Sequence, residues 1–337
     1  MATNTLPISP LRLLGFCLLA TALTLTSNAQ PIDREALVTR HNPTATKLDP
    51  LSPFSVGNGA FAFTADITGL QTFPDPYDAG IPLHTQSQWG WHSFPNTHGY
   101  KLQDAFQEFE VHGRKVPYAG LANSPAGTWL RGNPHRLDLA RIGLILKKED
   151  GSPAKPDDLS KIKQTLDLWR GILTSEFEFD AQPVKIRTAC HPQLDQLAVD
   201  VESPLLKTSR LSLSISFPGA KADWKENADW TTPDAHQTVT TPNGSPQSCL
   251  FSRTLDDSHY FVRAMWSGGA QLEKPGAHQS KISTAGADRL WFVSSFTGEK
   301  SGEPVPDASA TFQASSDHWK KFWSTGGAID LSGSTDP

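Results

Sequence analysis

The sequence predicts a mainly β fold, an antiparallel β-sandwich followed by a C-terminal helix, and three observations carry that expectation. From about residue 55 onward, apolar and polar residues alternate along many short segments, the period of half-buried strands. The 25 glycines and 26 prolines lie between these segments as turn punctuation and form no low-complexity tract. Near the end the pattern changes. Phe312, Trp319, Phe322 and Trp323 recur at helical spacing, Gly326-Gly327 supplies a stop, and Lys320 and Lys321 sit where a helix C-terminus favours positive charge.

The strands follow in order. Phe61, Phe63, Ala65 and Ile67 share one face of the first long strand, with Ala62, Thr64 and Asp66 on the other. Ile142, Leu144 and Leu146 repeat the pattern. Leu173, Ser175, Phe177 and Phe179 lead into Asp180-Ala181-Gln182-Pro183, and Val184, Ile186 and Thr188 return, which is a hairpin. Leu197, Val199 and Val201 come next, then Leu211, Leu213, Ile215 and Phe217, with late strands at 260–266 and 290–296. Many short strands in succession argue one large antiparallel sandwich. Two irregular insertions interrupt them, at 74–136 and 219–247, and long loops on a rigid scaffold are where binding residues gather.

Composition limits the function classes. The chain of 337 residues is 37% apolar with a mean hydropathy of -0.38, a soluble profile, and ten tryptophans and seventeen phenylalanines supply a core. Charge is mixed, 30 basic residues against 35 acidic, and no Lys/Arg run offers a nucleic-acid footprint. Residues 1–29 read as a secretory signal peptide. Arg12 is followed by a nearly uncharged stretch at 13–25 and by Ser27-Asn28-Ala29, with cleavage expected before Gln30 and a secreted or periplasmic product. That stretch falls short of the roughly 20 apolar residues a membrane span needs, and Phe16 before Cys17 argues against lipidation. Cys190 and Cys249 then remain, and their distance in sequence leaves disulfide or separate thiols open. No His, Cys or Asp cluster shows metal-ligand spacing, and no cofactor is expected.

Several local motifs add up to a resemblance. Val56-Gly57-Asn58-Gly59-Ala60-Phe61 opens the first strand, and Leu166-Asp167-Leu168-Trp169-Arg170-Gly171 precedes the hairpin. Thr188-Ala189-Cys190-His191-Pro192 closes the hairpin, and Trp319-Lys320-Lys321-Phe322-Trp323 precedes Ala328-Ile329-Asp330-Leu331. In this order, across residues 51–331, they resemble the N-terminal region of six-hairpin glycosidases, most nearly the bacterial relatives of glycoside hydrolase family 65. The resemblance implies a β-supersandwich similar to galactose mutarotase at 30–306, and a linker helix at 307–337 leading into an (α/α)6 barrel that carries the general acid. The expectation is that this barrel is missing from the chain, so no catalytic residue is placed within it.

Glu108 with Glu110, and Glu176 with Glu178, alternate along strands and read as solvated faces rather than as a catalytic pair. No nucleophile elbow or P-loop is present. The segment 86–93 is the richest candidate site. Gln86, Gln88, Trp89, Trp91 and His92 offer indole faces for sugar C–H surfaces beside amide and imidazole partners for hydroxyls, while the competing reading makes the tryptophans packing plugs. His191 reads as a packed turn residue and His112 as an exposed one; Arg131, Arg136 and Arg141 are expected to pair with acids on neighbouring loops. The leading expectation is a domain of an exported glycoside hydrolase acting on oligosaccharides. The alternatives are a self-contained mutarotase-like enzyme using a His and a Glu, and a non-catalytic carbohydrate-binding module.

Overall fold

The computed structural model describes residues 31–120 and 124–334. The signal-peptide expectation for residues 1–29, with Cys17, lies outside the described residues. The predicted antiparallel sandwich is what the structure shows. Its main layer is a nine-stranded sheet running β1 (Thr44–Ala45), β10 (Leu159–Asp167), β11 (Ile172–Phe179), β12 (Gln182–Cys190), β13 (Gln196–Glu202), β22 (Arg289–Thr297), β19 (Ser258–Trp266), β18 (Ser248–Leu255) and β17 (His236–Pro242). Facing it are a four-stranded sheet, β20 (Ala270–Gly276), β21 (Gln279–Thr284), β14 (Leu211–Ser216) and β9 (Arg141–Leu146), and a three-stranded one, β2 (Phe54–Gly57), β3 (Phe61–Ala65) and β4 (Thr85–Ser87). Among the described residues three two-stranded ribbons join these sheets. They are β5 (Trp91–His92) with β8 (His135–Arg136), β6 (Phe106–Val111) with β7 (Arg114–Ala119), and β15 (Gly219–Ala220) with β16 (Ala228–Asp229).

The alternation read from the sequence sets which residues fill the space between the layers. Phe61, Phe63 and Ala65 of β3, Ile142, Leu144 and Leu146 of β9, Phe177 and Phe179 of β11, and Leu211, Leu213 and Ile215 of β14 share one buried cluster. The hairpin between β11 and β12 closes on two residues, Asp180 and Ala181, with Phe179 facing Gln182. Both turn residues take positive φ, 48° and 57°, the primed-turn geometry that matches strand twist. Outward on the same strands, Glu176 pairs with Lys185 and Glu178 with Lys161, both at 2.7 Å, so these glutamates are a solvated face as expected. Glu108 and Glu110 stand on the exposed β6–β7 ribbon. Cys190 and Cys249 are two free buried thiols, each pushed up to about 12 by burial.

The nine-stranded sheet is covered on its second face as well. The terminal helix Ala308–Ser324, N-capped by Asp307, lies across β11, β12, β13 and β22. Small residues make room for it: Ala189, Ala198 and Val293 meet Ala308 and Phe312. Beside this contact Asp200 is gripped by Arg289 (2.8 and 2.9 Å) and Arg187 (2.5 Å), and Arg187 stacks on Phe312 with 4.9 Å to the ring centre. Burial alone would raise the Asp200 carboxyl, but these two guanidiniums outweigh it and hold it below the usual range.

The far end of the helix meets the 166–171 turn. Trp323 Nε1 donates to the Leu168 carbonyl at 2.7 Å, and Ser315 Oγ donates to the Arg170 carbonyl at 3.0 Å. Gly171, at φ +65°, leaves the space that the Trp319 ring fills. Of the predicted stripe, Phe312, Trp319 and Trp323 turn inward, whereas Phe322 stays 53% exposed because it lies a quarter-turn off their line. Arg34, on a short helix Arg34–Thr39, caps the C-terminus by donating to the carbonyls of Trp323 and Gly326 at 3.1 and 2.6 Å. A guanidinium there complements the negative end of the helix dipole.

Candidate functional site

Strand β4 positions the segment singled out in the sequence. Thr85 and Ser87 point into the core, while Gln86 and Gln88, with His84 just before the strand, project to the other side. Residues 137–139 run along its free edge. Leu139 N–H donates to the Thr85 carbonyl, Asp138 Oδ1 accepts from Thr85 N–H, both at 2.8 Å, and Leu137 N–H reaches the Gly90 carbonyl at 2.9 Å.

The five predicted residues divide by environment. Gln86 and Gln88 border a shallow groove of about 340 Å³ with Ser55, Gly57, Ala60 and Arg136. Trp91 is 45% exposed, and its other ring face carries the Arg136 guanidinium at 4.0 Å. Trp89 turns inward: its Nε1 donates to Asp195 Oδ2 at 2.7 Å, its ring lies beside Tyr260, and Gly298 lies against it. His92 is buried, with Nδ1 3.1 Å from His135 Nε2 and Nε2 3.1 Å from Asp256 Oδ2. His135 Nδ1 donates in turn to the Gly132 carbonyl at 2.8 Å, which leaves its Nε2 to accept from His92. Burial, and for His92 the nearby His135, lower both imidazole pKa values, while the Asp256 carboxylate acts in the opposite sense on His92. Trp89 and His92 thus have their polar atoms committed inside the domain. Gln86, Gln88 and Trp91 remain at the surface.

Sequence reasoning did not find a second polar cluster on the same side of β4. His84 Nε2 lies 3.4 Å from Glu226 Oε1, and Glu226 arrives on the β15–β16 ribbon from the second insertion. Burial works against protonation of His84, but the hydrogen bond to Glu226 and the charges of Asp138 and Glu226 outweigh it and raise its pKa. Asp138 is 2% exposed, and burial raises its carboxyl to about 6, with His84, the Thr85 amide and Arg141 opposing. The arginines correct an expectation. Arg131, Arg136 and Arg141 make no ion pair among the described residues. Each lies over an indole, those of Trp224 (5.1 Å), Trp91 (4.0 Å) and Trp230 (4.2 Å), because a planar, weakly hydrated guanidinium stacks where an ammonium would stay in water. The three arginines were visible in the sequence, but their indole partners were not.

Asp138 gives a pH prediction. Its folded pKa lies above its ordinary 3.8, so between about 4 and 6 the folded state binds more protons than the unfolded one, and this group's contribution to stability falls as pH rises. In Asp138→Asn that fall should vanish, flattening urea-derived stability across this window relative to the parent. An unchanged slope would place the titration elsewhere.

No protein-family model and no curated protein matches the sequence. Among solved structures, the chain is similar to a protein assigned as a kojibiose phosphorylase from the human microbiome, with 11% identity over 86% of this chain and 36% of that one and a TM-score of 0.47. It is also similar to a glycoside hydrolase family 92 α-mannosidase from Bacteroides thetaiotaomicron (7% identity, 55% and 28% coverage, TM-score 0.23). A family 36 α-galactosidase from Geobacillus stearothermophilus shows 11% identity, 73% and 40% coverage and a TM-score of 0.24. The chain spans well under half the length of each.

Proposed function

We propose that this chain is the N-terminal, substrate-rim and structural domain of an exported glycoside hydrolase related to family 65, acting on oligosaccharides together with an (α/α)6 catalytic barrel outside these 337 residues. One observation carries the reading: the motifs that resemble that family, far apart in sequence, serve one another in space. Asn58 of the G-N-G opening donates to the carbonyls of His191 and Leu194, both at 3.0 Å, while its own Oδ1 accepts from Ala60 and Phe61. The 166–171 turn receives the two tryptophans of the W-K-K-F-W helix. Motifs that clip a following helix to the sandwich suit a domain whose task is to hold that helix. Export favours hydrolysis over phosphorolysis, since a sugar phosphate is useful mainly inside a cell.

In this reading the rim is the groove at Gln86, Gln88 and Trp91. The test uses the chain alone and the chain with its barrel, assayed on α-linked disaccharides. The chain alone should show no turnover, and turnover that survives rigorous purification would overturn the reading. Mutarotation of glucose by the chain alone, followed by polarimetry, would support the self-contained alternative instead. In the barrel-bearing protein Trp91→Ala should lower kcat/KM about fivefold, the equivalent of ~1 kcal/mol of positioning, without changing Tm. Trp89→Ala should do the reverse, costing about 3 kcal/mol of stability with unchanged kinetics in the folded fraction. Identical behaviour of the two variants would remove the distinction between rim and plug.

A further inference from the structure

The cluster around His84, at the start of β4, has a chemistry of its own. Asp138 is almost wholly buried, and although its Oδ1 accepts from the Thr85 amide, Oδ2 has no hydrogen-bond partner among the described residues. Arg141 Nε, buried nearby, is a donor without an acceptor. Unmatched buried groups are costly, and a donor and an acceptor left open in one cluster fit a ligand that supplies both. The side chains of His84 and Glu226 are 13% and 25% exposed, so the cluster opens to solvent on their side. Trp230, 37% exposed, carries Arg141 on its ring and presents an apolar edge beside it.

The charges narrow the ligand. Asp138 and Glu226 disfavour an anion, while Arg141 and His84 disfavour a cation. Among the described residues no three His, Cys, Asp or Glu side chains are grouped to hold a metal ion. A neutral molecule with adjacent hydroxyls can donate to a carboxylate, accept from a guanidinium N–H and lay a C–H face against an indole. We propose that His84, Asp138, Arg141, Glu226 and Trp230 form a binding site for one ring of a neutral polyhydroxylated ligand, a sugar unit, distinct from the groove at Gln86, Gln88 and Trp91. This inference needs no second domain and goes beyond the rim reading.

The experiment is isothermal titration calorimetry of the chain with glucose, galactose, mannose, xylose and inositol, alongside glucuronate and glucosamine as charged counterparts of glucose. At least one neutral member should bind saturably and its charged counterparts more weakly. Trp230→Ala and Glu226→Gln should each lower the affinity about tenfold, the scale of one lost contact to a charged or aromatic group. Both side chains reach the surface, and circular dichroism reports whether the variants stay folded. Trp91→Ala should leave this binding unchanged. No heat with any neutral member overturns the site. Binding that survives both Trp230→Ala and Glu226→Gln, or that Trp91→Ala abolishes, also overturns it by moving the sugar elsewhere. Neither result bears on turnover by the barrel-bearing protein, so the two proposals fail separately.

Discussion

Gly171→Ala should destabilise the protein by about 2–5 kcal/mol, because two penalties fall on one methyl group. The residue sits at φ +65°, where an L side chain costs ~1–2 kcal/mol. The added Cβ would also lie 2.1 Å from Trp319 Cδ1 and 2.9 Å from Ser315 Oγ, a clash that moves either the ring or the turn. Overpacking of this kind costs about 1–3 kcal/mol. The consequence is local in origin but not in effect, since the same turn accepts from Trp323 Nε1 and Ser315 Oγ. A displaced helix would uncover Ala189, Ala198 and Val293 on the outer face of the main sheet. Chemical denaturation of Gly171→Ala, Trp319→Ala and the double variant forms a cycle. The double variant should recover the overpacking part and keep the backbone part, giving a coupling of about 1–3 kcal/mol. Strict additivity would show that Trp319 does not rest on Gly171.

A comparable loss is expected for Arg253→Met. Arg253 is 1% exposed and acts as a hub that ties several elements together. Its Nη2 donates to the Pro218 carbonyl at 2.6 Å, Nη1 to the Gln237 carbonyl at 2.8 Å and to His236 Nδ1 at 3.0 Å, and Nε to Tyr260 Oη at 3.2 Å. Tyr260 Oη passes the connection on by donating to the Leu139 carbonyl at 2.7 Å. Methionine fills much of the volume and satisfies none of these acceptors, and breaking such a buried network costs about 3–5 kcal/mol. Arg253→Lys should fall between, since an ammonium keeps the charge but cannot span the same fork. Because the chain of bonds ends at Leu139, the 137–141 wall of the candidate site should loosen with it, visible as faster amide exchange at Leu139. A loss below about 1 kcal/mol for Arg253→Met, with unchanged exchange, would assign the hub no structural role.

How far the sequence alone reaches depends on the range of the interaction concerned. Alternation at Phe61-Phe63-Ala65 or Leu211-Leu213-Ile215 reports a strand, because period-two geometry puts every second side chain on one face and only a buried face demands apolar groups. The helix, its stop and the β11–β12 hairpin are local in the same sense, and all three were legible. The second covering of the main sheet left only a faint trace, the small residues Ala189 and Ala198 at outward positions, which become meaningful once Phe312 lies on them.

The candidate site belongs to the other class. Trp89 and Trp91 look alike in sequence, yet one donates to Asp195 inside the domain and the other lies under Arg136 at the surface. Nothing local separates them: the sense of each ring follows from where β4 ends and β5 begins. His84 and Glu226 meet across 142 positions, and Asp138 joins them from the edge of β4, so the cluster exists only once two insertions have closed onto one strand. The sequence by itself therefore determined the strongly alternating strands, the helix and the kind of surface each presents, because those obey periodicities of a few residues, whereas the short strands inside 74–136 and 219–247, read as irregular, take shape only by pairing. Tertiary structure alone decided which polar groups face one another, because loop closure and strand register set those distances, and a change of one residue in register would exchange the buried and open faces.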